Sequence, residues 1–153
     1  MKMKRILAID PSINFCGVAV FKFGKLDEHA LLTPLIKSDD WVEKAKDIYR
    51  QINIIHAKYD IDERVVETPT YWGAAGYLAR ESGAIMKLMF LCGMLVSWNN
   101  SIVIFPNTWK GQLPKDVVRN RLMKVYPGIV DDKLNHNIVD AIGIGHWYTH
   151  KTI

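Results

Sequence analysis

Cysteine is scarce. The 153 residues contain two, Cys16 and Cys92, and neither belongs to a CxxC pair or another zinc spacing. This excludes a disulfide-stapled scaffold and a zinc module. Each cysteine sits alone in an apolar stretch and reads as a reduced core residue. Long apolar runs are missing too. The most apolar stretch, 84–98, reaches only about one-half to three-quarters of a membrane span and contains Lys87. A buried helix is expected there, with no membrane partner. The apolar run after the basic N-terminus is cut by Asp10 after four residues, which argues against a signal peptide and for a cytoplasmic protein. There is no internal repeat, low-complexity tract or linker, so 1–153 reads as one domain. An excess of acid is also absent. Formal charge is +4 and the pI is near 9.0, a mild bias toward polyanions.

What is present is ordinary globular material, 49% hydrophobic, enough for one core without staples. Residues 4–10 (KRILAID) and 15–23 (FCGVAVFKF) read as strands joined by a turn at 11–14. A second turn at Phe23-Gly24-Lys25 returns the chain as a third strand over 26–36. Ser38-Asp39-Asp40 signals a helix start, followed by Val42, Ala45, Ile48, Ile52 and Ile55 at helical spacing. Residues 63–67 form a short strand, 74–98 one long helix, and 102–105 a buried strand stopped by Pro106. Pro114 opens a helix to about Tyr126, and a last helix runs from near Asn135 toward His150. The order β-β-β-α-β-α-β-α-α predicts an α/β fold. Its mixed five-stranded sheet is an antiparallel meander followed by parallel strands, flanked by helices.

Three carboxylates are poorly explained as solvated surface. Asp10 ends one apolar strand, and Glu67 ends another, just before Thr68-Pro69. Asp140 stands among Ile138, Val139, Ala141, Ile142 and Ile144 on an apolar helix. A carboxylate in such surroundings must be paired, hydrogen-bonded or metal-bound if buried. Strands one and four are neighbours in many sheets of this order, which would bring Asp10 and Glu67 together with Asp140 packed beside them. Carboxylates gathered in this way suit hard cations such as Mg²⁺ or Mn²⁺. Two such ions can serve phosphodiester hydrolysis. For each acid alone, a helix cap or strand-end ion pair is an equal reading.

The motifs resemble those of the RuvC-type Holliday junction resolvases, in the RNase H-like superfamily. Ile6-Leu7-Ala8-Ile9-Asp10-Pro11-Ser12 with Gly17-Val18-Ala19 resembles the first motif of that family. Val65-Val66-Glu67 resembles the second, and Asp140-Ala141-Ile142-Gly143-Ile144 the last. Ile104-Phe105-Pro106 with Trp109-Lys110 resembles compact, phage-encoded members, for which the setting would be the host cytoplasm. The resemblance implies an RNase H-like nuclease domain and a metal-dependent endonuclease. Such an enzyme nicks opposing strands of four-way junctions as a homodimer and leaves 5′-phosphate ends. One position departs from the pattern. Where the family has Asp or His three residues before the final Asp, this chain has Asn137, with His136 one residue earlier. Both share a helix face with Asp140. His136 is preferred as the fourth catalytic and metal-site residue, since imidazole is the better ligand and carries protons. Asn137 remains the alternative.

Lys110, Lys115, Arg119, Arg121 and Lys124 fall within sixteen residues that contain one acid, Asp116. Lys115 and Arg119 share one flank of the helix from Pro114, and Arg121 and Lys124 the other. Lys110, Lys115, Arg119 and Arg121 are candidate phosphate contacts, and Lys110 or Lys115 can offset charge on a scissile phosphate. A merely solvated helix face is an equal reading. Tyr71 and Trp72, in the loop after Glu67, can stack on unpaired bases or simply anchor the next helix. The helix at 74–98, with its small residues, is the expected dimer interface. Other nucleases for branched DNA or RNA–DNA hybrids fit the same acids. A non-catalytic junction-binding module is disfavoured by the intact Asp10, Glu67, Asp140 set. A sugar-kinase or actin-like ATPase shares the strand order, but it needs a second domain and Gly-rich phosphate turns. No nucleotide cofactor is therefore expected.

Overall fold

A computed structural model describes residues 4–70 and 81–153. The first apolar run forms β1 (Arg5–Asp10). The chain reverses through 11–15 into β2 (Cys16–Lys22), which pairs antiparallel with β1. Phe23 and Gly24, at φ 54° and 84°, turn it into β3 (Lys25–Leu32). Two successive positive φ values suit a tight hairpin between right-twisted strands. The third strand stops at Leu32 rather than 36. Pro34 has no N–H to give a ladder, and Leu35 N donates instead to Asp47 Oδ2 at 2.7 Å.

Helix α1 (Trp41–Tyr59) is capped by Asp40, whose side chain accepts from Val42 N. It leads into β4 (Glu63–Glu67), which lies parallel to β1 with Ile9 opposite Val66. The expected helix over 74–98 is not continuous. A turn at Ser82 and Gly83, with Gly83 at φ 70°, separates Glu81 from α2 (Ala84–Val96). Residues with φ in this region do not propagate a right-handed helix. Strand β5 (Ser101–Ile104) adds parallel to β4, giving the sheet order β3-β2-β1-β4-β5. Pro106 does more than stop that strand, because it opens a one-turn helix, α3 (Pro106–Trp109). Helices α4 (Lys115–Val125) and α5 (His136–His150) follow, the latter capped by the Asn135 side chain.

Strand alternation divides the core in two. Leu7, Ile9 and Val66 face α1 and α2, packing against Ile48, Ile52 and Leu91. Ile6, Ala8 and Val65 face the other way, against Ile138, Ala141 and Ile142 of α5. Both cysteines are free and buried, as expected. No helix among the described residues is long and apolar enough to cross a membrane.

Helix α5 lies directly on β1 and β2 because Gly17, opposite Asp10, has no side chain. A Cβ there would stand 1.9 Å from the Asn137 carbonyl oxygen. Gly17→Ala is therefore expected to destabilise the fold by about 2–3 kcal/mol. At Gly93 of α2 a Cβ would meet nothing within 4 Å. Gly93→Ala should be neutral or stabilising, by less than about 1 kcal/mol. Urea unfolding of the two variants checks the contrast, and equal stabilities would refute this account of the α5 contact.

Candidate active site

The parallel register puts Asp10 and Glu67 together at the C-terminal ends of adjacent strands. Alternation puts them on one face. Asp10 shares its parity with Ile6 and Ala8, and Glu67 with Val65, and all three apolar residues belong to the α5 side of the core. Helix α5 then brings Asp140, which is only 8% exposed. The bareness of Gly17 lets the first turn of that helix reach the strand ends.

This proximity is electrostatically unfavourable. The Asp10 carboxyl is pushed up from 3.8 to about 8, first by burial, then by the charges of Glu67 and Asp140. Lys110 and Lys115 oppose the rise. Glu67 is also pushed up, again mainly by burial. Two contacts soften the repulsion. Trp109 Nε1 donates to Glu67 Oε2, and Lys110 Nζ stands 3.6 Å from Asp140 Oδ2. Among the described residues no three His, Cys, Asp or Glu side chains are gathered closely enough to hold a metal ion as they stand. The donor set nonetheless fits a hard divalent cation. It consists of mutually repelling carboxylate oxygens, drawn from three elements into one desolvated place, with no thiolate among them.

A cleft of about 380 Å³ opens beside Asp140 and is lined by Lys115, Arg119 and His136, together with Asp116 and Asp132. His136, exposed at the first position of α5, faces the same space as Asp140. Asn137 is differently engaged, its Nδ2 donating to the Phe15 carbonyl at 2.7 Å. Arg119 lines the cleft but also braces the segment before α5, donating to the carbonyls of Asp131 and Leu134. Arg121 lies on the other flank of α4 and donates to the Ile153 carbonyl. The structure thus brings Asp10, Glu67, Asp140, Lys110, Lys115, Arg119 and His136 toward the C-terminal ends of β1 and β4, and turns Arg121 elsewhere. Tyr71 and Trp72 lie outside the described residues.

Sequence reasoning missed Trp109, which is 2% exposed and bonded to Glu67. Its signal was a tryptophan next to the lysine singled out at 110. Thr68 also went unnoticed. Its hydroxyl, directly after Glu67, is buried and has no hydrogen-bond partner among the described residues.

No protein-family model matches the sequence, and no curated protein matches it either. Solved structures do share its fold. RuvC of Thermus thermophilus in complex with a Holliday junction substrate is 15% identical, with a TM-score of 0.70 over 97% of this chain and 92% of that one. The yeast mitochondrial Holliday junction resolvase Ydc2 is 12% identical, with a TM-score of 0.68 over 96% and 78%. The fowlpox virus resolvase in complex with substrate Holliday junction DNA is 16% identical, with a TM-score of 0.55 over 96% and 97%. The fold is therefore RNase H-like. It is shared with these resolvase structures through nearly the whole chain.

A carboxyl whose folded pKa lies above its unfolded value holds its proton more tightly in the fold. Asp10 therefore favours the folded state at acid pH, and this contribution is lost as the pH rises from 3.8 through about 8. Asp10→Asn is expected to stabilise the metal-free protein at pH 8 by on the order of a few kcal/mol. Melting curves in EDTA across this range test it, and a variant no more stable than the wild type would contradict it.

Proposed function

We propose that this chain is a divalent-metal-dependent endonuclease that resolves four-way DNA junctions. The observation that carries the reading is the convergence of Asp10, Glu67 and Asp140 at the C-terminal ends of β1 and β4, in a fold shared with resolvases solved on junction DNA. In this reading 1–153 acts as one nuclease domain, in the cytoplasm of its cell or host.

Asp10, Glu67 and Asp140 would hold Mg²⁺ or Mn²⁺, two ions per site, with His136 or Asn137 as the fourth group. When bound, such ions acidify water and neutralise charge on the departing oxygen of a phosphodiester. The chain's own residues do the rest. Lys110 and Lys115 supply positive charge where the scissile phosphate would lie. Lys115 and Arg119 would meet the sugar-phosphate backbone from the neighbouring cleft, whose lining also carries Asp116 and Asp132. Arg121 would contact DNA only on an arm passing the other flank of α4. Tyr71 and Trp72 keep their assignment as stacking residues for unpaired bases.

Paired nicks require two sites, and we assign the dimer contact to α2. Met86, Phe90 and Gly93, spaced i, i+4 and i+7, make an exposed stripe along it. Gly93→Arg, at a position open to space, is expected to separate the subunits and end paired cleavage. A wild-type monomer by light scattering at cleaving concentrations would overturn this assignment.

The substrate reading is tested with four-way junction, flap, duplex and RNA–DNA hybrid in parallel. Junction cleavage should dominate in Mg²⁺ or Mn²⁺ and vanish in EDTA, with Ca²⁺ supporting binding alone. Asp10→Asn, Glu67→Gln and Asp140→Asn should each abolish cleavage while keeping junction binding. Preference for the hybrid would reassign the substrate, and full activity in EDTA would remove the metal.

For the fourth group, His136 is open to the cleft while the Asn137 amide is tied to Phe15. His136→Ala is expected to slow cleavage by about 10²-fold or more, and Asn137→Ala by much less. The opposite ranking on one junction substrate, measured from pH 6 to pH 9, would transfer the role to Asn137.

A further inference from the structure

Trp109 is almost wholly buried, yet its one polar atom is directed at a carboxylate of the acidic cluster. An indole is an unusual neighbour for a cation site, because it can only donate. The ring has two close neighbours besides Glu67. On α5, Gly143 leaves a notch three residues beyond Asp140. A Cβ at that glycine would lie 2.5 Å from Trp109 Cζ3 and 3.0 Å from Cη2. Lys110 Nζ also stands 4.8 Å from the ring centroid and reaches toward Asp140. The indole therefore spans the gap between β4, which carries Glu67, and α5, which carries Asp140. Its position is set by packing and its N–H by geometry.

We infer that Trp109 is a positioning residue for Glu67, whose indole N–H holds Oε2 and assigns cation contact to Oε1. A glutamate at a strand end has three rotatable side-chain bonds and two equivalent oxygens, so without a fixed donor it can turn either oxygen, or both, inward. A donor locked in the core removes that freedom, as the outer partners of ligands do in other metal sites. A neutral N–H also does so without adding positive charge that would compete with a cation. The glycine at 143 is part of the same device, since any side chain there would push the ring off Glu67.

This inference rests on the reading of the acidic cluster as a cation site, and Mn²⁺ binding followed by electron paramagnetic resonance tests the two separately. Two replacements remove the donor: Trp109→Phe, which keeps an aromatic ring, and 3-benzothienylalanine at 109, which has the shape of tryptophan with sulfur in place of N–H. Each is expected to weaken Mn²⁺ binding by about 10-fold or more. In a Glu67→Gln background Trp109→Phe should cause no further loss, because a residue acting through Glu67 has nothing left to position. If Trp109→Phe lowers the melting temperature sharply, the benzothienyl variant decides. Unchanged Mn²⁺ affinity in that variant overturns the role of Trp109 and leaves the cation site standing. An additive loss in the Glu67→Gln background shows a general packing effect and also overturns it. A wild-type protein that binds no Mn²⁺ overturns both readings.

Discussion

Contact between α5 and the bare backbone of β2 is the constraint from which the site follows. Helix α5 carries Asp140 to the strand ends only because nothing projects from the sheet at Gly17. A helix normally packs on a sheet at a distance set by side chains from both surfaces. Here the side chain at Gly17 is missing, and the helix backbone at Asn137 occupies its space. The acids of β1, β4 and α5 thereby come within reach of one another and lose their water together. The same approach creates the apolar layer beneath them, where Ile138, Ala141 and Ile142 meet Ile6, Ala8 and Val65.

That arrangement stores electrostatic stress. Burial alone disfavours the charged form of Asp10 and Glu67, and the mutual repulsion of the acids adds to it at Asp10. In return, a desolvated group of oxygens interacts more strongly with any cation that enters than the same oxygens would in water. Lys110 occupies an intermediate place. It neutralises Asp140 in part, at 3.6 Å, but remains beyond close hydrogen-bond distance, and its ammonium lies over the Trp109 ring.

Sequence patterns with a short period were legible and those that depend on close approach were not. The parity of Asp10 and Glu67 on their strands, the caps at Asp40 and Asn135, and the buried face of α5 all follow from local spacing. The break before α2 was missed because the apolar pattern continues through Gly83, and one glycine in a helical pattern is usually tolerated. The one-turn helix at Pro106 is too short to have a period. Trp109 was read as a neighbour of Lys110 because its bond to Glu67 joins residues 42 positions apart.

The sequence by itself determined the order of strands and helices, the face on which each acid lies, and the resemblance of its three acidic motifs, since these are written in periods of two and 3.6 residues. Only the tertiary structure decided which groups meet. It turned His136 into the cleft and tied Asn137 to Phe15. It divided the basic residues of α4 between two flanks with different partners, and set Trp109 between Glu67 and Gly143. The reason is physical: such contacts depend on distances between elements, and those are set by the side chains that are absent, at Gly17 and Gly143, as much as by those that are present.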